Sequence, residues 1–223
     1  MKTVWSLFIF LLICGTSFAQ VDFGYFSDLS AQIDIDDESD STDCIITPVG
    51  FSPDGKLAYI EWRYEDAMME DMPAELTVHF VITDLVTDRE LYRRYFIHHG
   101  HFDENDMYDV LRENSADFQR TLSEYRIHML ETPSAVFYEF PYIGFTIARL
   151  GADGELAGRV IEIRSPKGRK KIADLSADGY RRIRVIGLLK SPYEARIAVL
   201  LAVYGDDGCR LKPVGCHLST GYN

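Results

Sequence analysis

Residues 50–63 read Gly-Phe-Ser-Pro-Asp-Gly-Lys-Leu-Ala-Tyr-Ile-Glu-Trp-Arg, and this stretch decides the fold. Pro53 presets φ at the second position of a β-turn, and Asp54 tolerates the backbone conformation that follows. Gly55 supplies the freedom that the exit from the turn requires. The stretch therefore predicts a tight turn between two strands.

The residues on either side of this turn have the pattern of β-strands. Before it, Cys44–Val49 is a short run rich in β-branched residues. After it, two sets of residues alternate with a period of two, which indicates a strand with one drier face. The drier set is Ala58, Ile60 and Trp62, and the other set is Leu57, Tyr59, Glu61 and Arg63. A hairpin or adjacent strand pair is the simplest interpretation.

Phe51–Lys56 resembles the Phe-Ser-Pro-Asp-Gly-Lys signature of the WD40-like propeller repeats found in periplasmic TolB-type proteins. The resemblance covers one blade. It implies that the blade continues with a strand over Leu76–Thr83, a turn at Asp84–Asp88 and a strand over Arg89–Ile97. It implies a propeller-like fold and no particular activity. Separately, Ser191–Val199 resembles a segment of a family of predicted secreted bacterial proteins to which no activity is assigned.

The N-terminus has the pattern of a secretory signal peptide. Lys2 precedes the apolar run Val4–Ile13, and Ser17-Phe18-Ala19 supplies small residues where a signal peptidase cleaves. Residues 1–19 are therefore predicted to be removed, and the protein is predicted to be secreted or periplasmic. Lipidation at Cys14 is the alternative, although Ile13 is larger than the residue that usually precedes a lipidated cysteine.

Residues 20–43 are predicted to be an acidic, flexible linker, because they hold many carboxylates and few apolar groups. Calcium binding is the alternative for this segment. Its alternate carboxylates are those of a hard-cation loop, but it lacks a glycine for the tight turn, and Ile45 stands where a closing glutamate is needed. The alternate carboxylates are Asp34, Asp36, Glu38 and Asp40.

Charge is divided unevenly along the chain, whose formal net charge is −12. Residues 20–140 hold 8 Lys and Arg against 27 Asp and Glu, whereas residues 141–223 hold 14 against 8. Two interpretations remain open: attraction between parts of one fold, which we favour, and an anion-binding surface. That surface would consist of Arg164, Lys167, Arg169, Lys170, Lys171, Arg181, Arg182 and Arg184.

Residues 44–223 are predicted to form a single β-rich domain with one helical insertion near 103–127. The insertion has a helical apolar stripe, with a break into two short helices at Asn114 and Ser115 as an option. Arg196–Tyr204 is the most apolar strand and is expected to be central. The predicted fold is an antiparallel sandwich or a set of partial propeller-like sheets, with about nine strands.

His99, His101 and Asp103 form the candidate zinc site. They match the first part of the His-x-His-x-Asp-His pattern and resemble the metallo-β-lactamase-type hydrolases, a resemblance that implies catalytic zinc. Glu104 stands where that family has its next histidine. A polar strand-to-helix loop is therefore the favoured interpretation. The alternatives are an adventitious or structural metal and the catalytic zinc of a hydrolase.

Cys44, Cys209 and Cys216 remain after signal-peptide removal, and export permits a disulfide. If residues 209–216 were one extended strand, the two C-terminal cysteines would lie roughly 23 Å apart and could not pair. We favour a disulfide between Cys44 and one of the other two, with a local Cys209–Cys216 loop as the alternative.

The sequence thus predicts a binding or interaction protein whose partner is an unknown protein or small molecule. We infer no catalytic activity and no cofactor. The negative net charge disfavours nucleic acid, and no segment of the mature chain has the length of a membrane span. The oligomeric state is left open.

Overall fold

A computed structural model of the chain describes residues 33–35, 42–65, 75–99, 104–130, 136–137, 146–147, 158–205 and 208–221. These residues contain thirteen strands and two helices, and nine of the strands have six residues or more. The elements are β1 Ile33–Ile35, β2 Thr42–Phe51, β3 Lys56–Glu65, β4 Glu75–Asp84, β5 Arg89–His99, α1 Glu104–Glu113, α2 Ser115–Glu124, β6 His128–Met129, β7 Val136–Phe137, β8 Thr146–Ile147, β9 Val160–Ser165, β10 Gly168–Asp174, β11 Arg182–Lys190, β12 Arg196–Gly205 and β13 Gly208–His217.

The strands form three antiparallel sheets, which confirms the predicted mainly β, antiparallel class. The N-terminal sheet has the order β1-β2-β3-β4-β5, with β6 beside β2. The C-terminal sheet has the order β13-β12-β11-β7, and the small sheet has the order β10-β9-β8. β1 lies within the stretch for which the sequence predicts a linker, and it pairs with β2.

The turn at residues 52–55 forms as the sequence predicts. The Ser52 backbone N–H donates to the Lys56 carbonyl at 3.0 Å, and the Gly55 N–H donates to the Ser52 carbonyl at 3.2 Å. Gly55 has a φ of 87°, which a residue with a side chain rarely adopts. The strands that this turn joins, β2 and β3, pair along their length with a bulge between Pro48 and Gly50.

Three hydrophobic clusters show that the sheets and helices are stacked in layers, as in a sandwich. One cluster lies between the helices and the N-terminal sheet, one between the N-terminal and C-terminal sheets, and one between the C-terminal and small sheets. The expectation of a single drier face for β3 is wrong. Trp62 faces the helices and Tyr59 faces the C-terminal sheet, and both are buried because each face of β3 has its own covering layer.

β12 is central in the C-terminal sheet and is buried on both faces, as its continuous apolar sequence predicts. Residues 197–204 are all buried. Leu200 and Ala202 pack toward the N-terminal sheet, whereas Val199 and Leu201 pack toward the small sheet. A strand covered on both faces can be apolar at every position.

The helical insertion is confirmed, including its break. The Asn114 side chain donates from Nδ2 to the Val110 carbonyl at 2.8 Å, so this residue ends α1 and precedes α2. Phe118 on α2 packs edge-on against Phe80 with 4.7 Å between ring centroids, and lies 5.8 Å from Phe96. The helices therefore lie across one face of the N-terminal sheet rather than forming a separate domain.

The disulfide expectation is wrong for the two C-terminal cysteines. Cys209 and Cys216 are buried thiols on the single continuous strand β13, which excludes the local loop because the strand is extended. The bond that we expected from Cys44 to one of them does not form either. Burial against neighbouring layers, rather than a covalent bond, holds this last strand in place.

Candidate functional site

The predicted metal site falls mostly outside the described residues. His99 is the last residue of β5, whereas His101 and Asp103 are not among the residues that the structure describes. Zinc and the hydrolase alternative therefore stay untested predictions. Within the described ranges, no group of three or more His, Cys, Asp or Glu side chains is arranged to hold a metal ion.

The basic residues proposed as one anion-binding surface differ in their surroundings: some side chains are exposed to solvent, and others bind groups of the protein itself. Arg164 and Arg169 lie opposite each other on β9 and β10 and are exposed. The neighbouring Lys170 instead donates from Nζ to the carbonyls of His217 and Thr220, at 2.9 and 3.0 Å. Lys170 thus ties the small sheet to the end of the chain rather than facing solvent with its neighbours.

Two further members of that basic set bind within the C-terminal sheet. The Arg181 Nη2 donates to the Gly205 carbonyl at 2.6 Å. The Arg182 guanidinium lies over the Tyr204 ring, 5.4 Å from its centroid. These intramolecular contacts of Lys170, Arg181 and Arg182 support the interpretation that part of the positive charge serves the fold.

An ionic cluster around one buried carboxylate lies where the N-terminal and C-terminal sheets meet, and it consists of Glu61, Arg63, His79, Glu90 and Arg93. The Glu61 carboxylate is fully buried, and it accepts from Arg63 Nη2 at 3.0 Å and from Arg93 Nη1 at 3.1 Å. Arg93 also forms a two-pronged pair with the exposed Glu90 carboxylate. Two guanidinium groups therefore compensate one carboxylate that water does not reach.

Glu61 also connects the two sheets directly. Its Oε1 accepts the Leu211 backbone N–H at 3.0 Å. Among the described residues β13 is the edge strand of the C-terminal sheet, so the carboxylate satisfies a Leu211 donor that no described strand reaches. The strand period assigns Glu61 to the wetter face of β3, so it indicates neither the burial of this carboxylate nor its partner on β13.

The electrostatics of the cluster favour fixed charges at neutral pH. Burial opposes ionisation of Glu61, but Arg63, the Leu211 amide and Arg93 outweigh it and hold the pKa of this carboxyl below its usual value. Burial, reinforced by Arg63 and Arg93, lowers the pKa of His79 to about 4 although Glu61 acts in the opposite direction. Neutral His79 accepts from Arg93 Nη1 at Nδ1. Groups held in one protonation state suit positioning better than proton transfer near pH 7.

We expect the free energy of unfolding to fall as the pH is lowered from about 6.5 to about 4, in part because of His79. Over this window the unfolded chain binds a proton at this histidine, whereas the folded chain binds it only near the lowered pKa of about 4. Urea denaturation across the window measures the slope. The His79→Gln variant should lose part of that slope, and an unchanged slope would contradict the proposed burial of this imidazole.

An exposed apolar strip, the β5 surface, lies beside the ionic cluster and consists of Leu91, Tyr95 and Ile97. Their exposed fractions are 39%, 62% and 48%. Single exposed apolar side chains are ordinary, but several grouped on one strand are typical of an interaction surface. Tyr95 is in register with His79, which in turn is in register with the buried Glu61. Glu61, His79 and Tyr95 thus form a row across the N-terminal sheet. The C-terminal sheet covers this row at Glu61 on β3 and leaves it exposed to solvent at Tyr95 on β5.

The sequence indicates that Arg89–Ile97 is a strand but does not indicate that it is an edge strand. Alternating polar and apolar residues are equally compatible with a covered strand. The β5 surface was therefore missed, because its exposure depends on how far the C-terminal sheet extends across its neighbour. Only the tyrosine and isoleucine on an otherwise polar face offered a signal.

The chain matches no family model, no curated protein sequence and no solved structure. The propeller-repeat resemblance and the secreted-family resemblance accordingly stay predictions. In the part of the chain that the structure describes, neither helix has the length and apolar character needed to cross a bilayer.

Proposed function

We propose that this chain is a secreted or periplasmic binding protein that takes an extended polypeptide segment along β5. The segment would add a strand to the N-terminal sheet, and the β5 surface would contact its side chains. Strand addition of this kind draws affinity from main-chain hydrogen bonds and specificity from alternate side chains. Export follows from the signal-peptide pattern at residues 1–19.

One observation carries the proposal: among the described residues, three of the five exposed large hydrophobic side chains lie on one edge strand. The strand is 11 residues long and begins with a bulge at Leu91. From Tyr92 onward it pairs regularly with β4 on one side. A long edge strand with exposed apolar side chains is a template for a further strand.

Site-specific photo-crosslinking tests the proposal. A photoreactive phenylalanine analogue at position 95 should give adducts of defined mass in cells that export the protein, because this side chain is exposed on the proposed surface. The matched control places the analogue at Arg120 on α2, which is similarly exposed but lies in the helical layer. Adding Ile97→Lys to the position-95 variant should abolish its adducts. Equal labelling at both positions would contradict the proposal.

A further inference from the structure

The molecule protects one of its sheet edges and leaves another open. On the β13 edge, Glu61 accepts the Leu211 N–H at 3.0 Å and Asp88 Oδ1 accepts the Gly215 N–H at 2.7 Å. Pro213, midway between these two residues, has no N–H to satisfy. These devices prevent another strand from pairing there. β5 has no comparable protection over Tyr92–Ile97, where β4 is its one strand partner among the described residues.

The middle of β5 is electrically neutral although it contains two consecutive arginines. Arg93 is paired with Glu61 and Glu90, and Arg94 forms an ion pair with Asp117 on α2. Two like-charged strands would repel each other at contact distance. Because each arginine already has its own carboxylate, two copies of this strand can approach without that cost.

We propose that the segment bound at β5 is the β5 strand of a second copy of this chain, which rests on the proposed function above. A two-fold axis through Phe96, perpendicular to the sheet, pairs the strands in antiparallel orientation. Tyr95 then lies directly opposite Ile97 of the second copy, and Ile97 lies opposite its Tyr95. Aromatic residues opposite β-branched ones are favourable cross-strand pairs. The dimer is closed, because each copy contributes one edge and uses it.

Neighbouring registers fit less well. An axis through Arg94 places each exposed Tyr95 opposite Arg93 of the second copy rather than an apolar residue. An axis through Tyr95 places each exposed Ile97 opposite Arg93 rather than an apolar residue. The axis through Phe96 covers both exposed apolar side chains of each copy with apolar partners, and this selects the register.

Disulfide trapping between two exposed positions tests this register. Two variants of the full chain are prepared, Tyr95→Cys and Ile97→Cys. The second carries a mass tag, so that a heterodimer can be distinguished from either homodimer. Directly opposite residues have Cα atoms about 4.5–5.5 Å apart, within the range of a disulfide, whereas the diagonal separations of 95–95 and 97–97 are about 7–8 Å. Mild oxidation of the mixture should give at least about ten-fold more heterodimer than either variant gives of homodimer. The wild-type chain, which retains its own cysteines, supplies the background.

Sedimentation supplies a second readout that needs no new cysteine. Wild-type protein should show a concentration-dependent shift from monomer to dimer, and Ile97→Lys should raise the dissociation constant at least about ten-fold. Arg120→Lys, a conservative change in the helical layer, should leave it unchanged.

The outcomes separate the two proposals. Monomeric wild-type protein at about 100 µM together with background-level trapping overturns self-pairing, while position-95 adducts to another protein would still support the binding function. If the Tyr95→Cys variant alone gives more disulfide-linked dimer than the mixture with Ile97→Cys gives of heterodimer, the register centred on Phe96 is wrong. If the analogue at position 95 gives no adducts and the wild-type chain forms no dimer, both proposals are overturned.

Discussion

Replacing Glu61 by alanine is expected to destabilise the protein by about 2–4 kcal/mol, because a fully buried carboxylate that accepts hydrogen bonds from three donors is lost. The change removes the carboxylate that Arg63 and Arg93 share, and it also removes the acceptor for the Leu211 N–H. An unsatisfied buried backbone donor adds to the penalty. Urea denaturation at pH 7 measures the loss as a lower transition midpoint.

Two further variants make this result specific to the buried carboxylate. Glu90→Ala removes the other acid that pairs with Arg93, but its side chain is 44% exposed, so the expected loss is under about 1 kcal/mol. Glu61→Gln should fall between the two alanine variants, because the amide oxygen can still accept from the Leu211 N–H. A loss below about 1 kcal/mol for Glu61→Ala would show that water reaches this site and that the sheets do not meet there.

Gly215→Ala is expected to destabilise the protein by about 3 kcal/mol or more, which lies at the upper end of the usual penalty for overpacking. A Cβ at this position would lie 1.7 Å from the Leu85 carbonyl oxygen and 2.6 Å from its carbon. These are backbone atoms of the β4–β5 turn, so no side-chain rotation can relieve the clash. Moving the turn would also disturb the 3.0 Å hydrogen bond from Arg196 to the same carbonyl.

Thermal unfolding measures this effect, with an expected fall in melting temperature of roughly 6–12 °C. Gly205→Ala is the matched control, because it is a glycine of the same sheet around which a new Cβ meets nothing within 4 Å. Its effect should stay within about 0.5 kcal/mol. Similar losses from the two substitutions would refute the close approach of the turn to β13.

Local chemistry accounts for the parts of the fold that the sequence predicts correctly. The turn before Lys56 needs only Pro53, Asp54 and a glycine, and these conformational preferences act within a few residues. The break between α1 and α2 likewise depends on Asn114, whose side chain bonds to a carbonyl four residues earlier. The burial of β12 on both faces can be inferred because no polar residue interrupts it.

The candidate site could be predicted only in fragments. The alternation in β3 and β5 identifies which residues of one strand share a face, but the register between the strands is needed to place Glu61 and Tyr95 on the same side of their sheet. The alternation cannot distinguish a residue that a second sheet covers from one that lies on the same face beyond the edge of that covering sheet. The expected single drier face for β3, and the disulfide expected at β13, fail for the same reason: both depend on what lies against the strand.

The sequence by itself determined most of the longer strands, the turn before Lys56 and the helical insertion, because side-chain period and backbone preference are properties of neighbouring residues. Only the tertiary structure decided that Glu61 is buried beneath a second sheet whereas Tyr95, in the same row, remains exposed. That difference depends on the distance each strand lies from the edge of the covering sheet. It also depends on contacts such as Glu61 with Leu211, which are 150 residues apart in the chain.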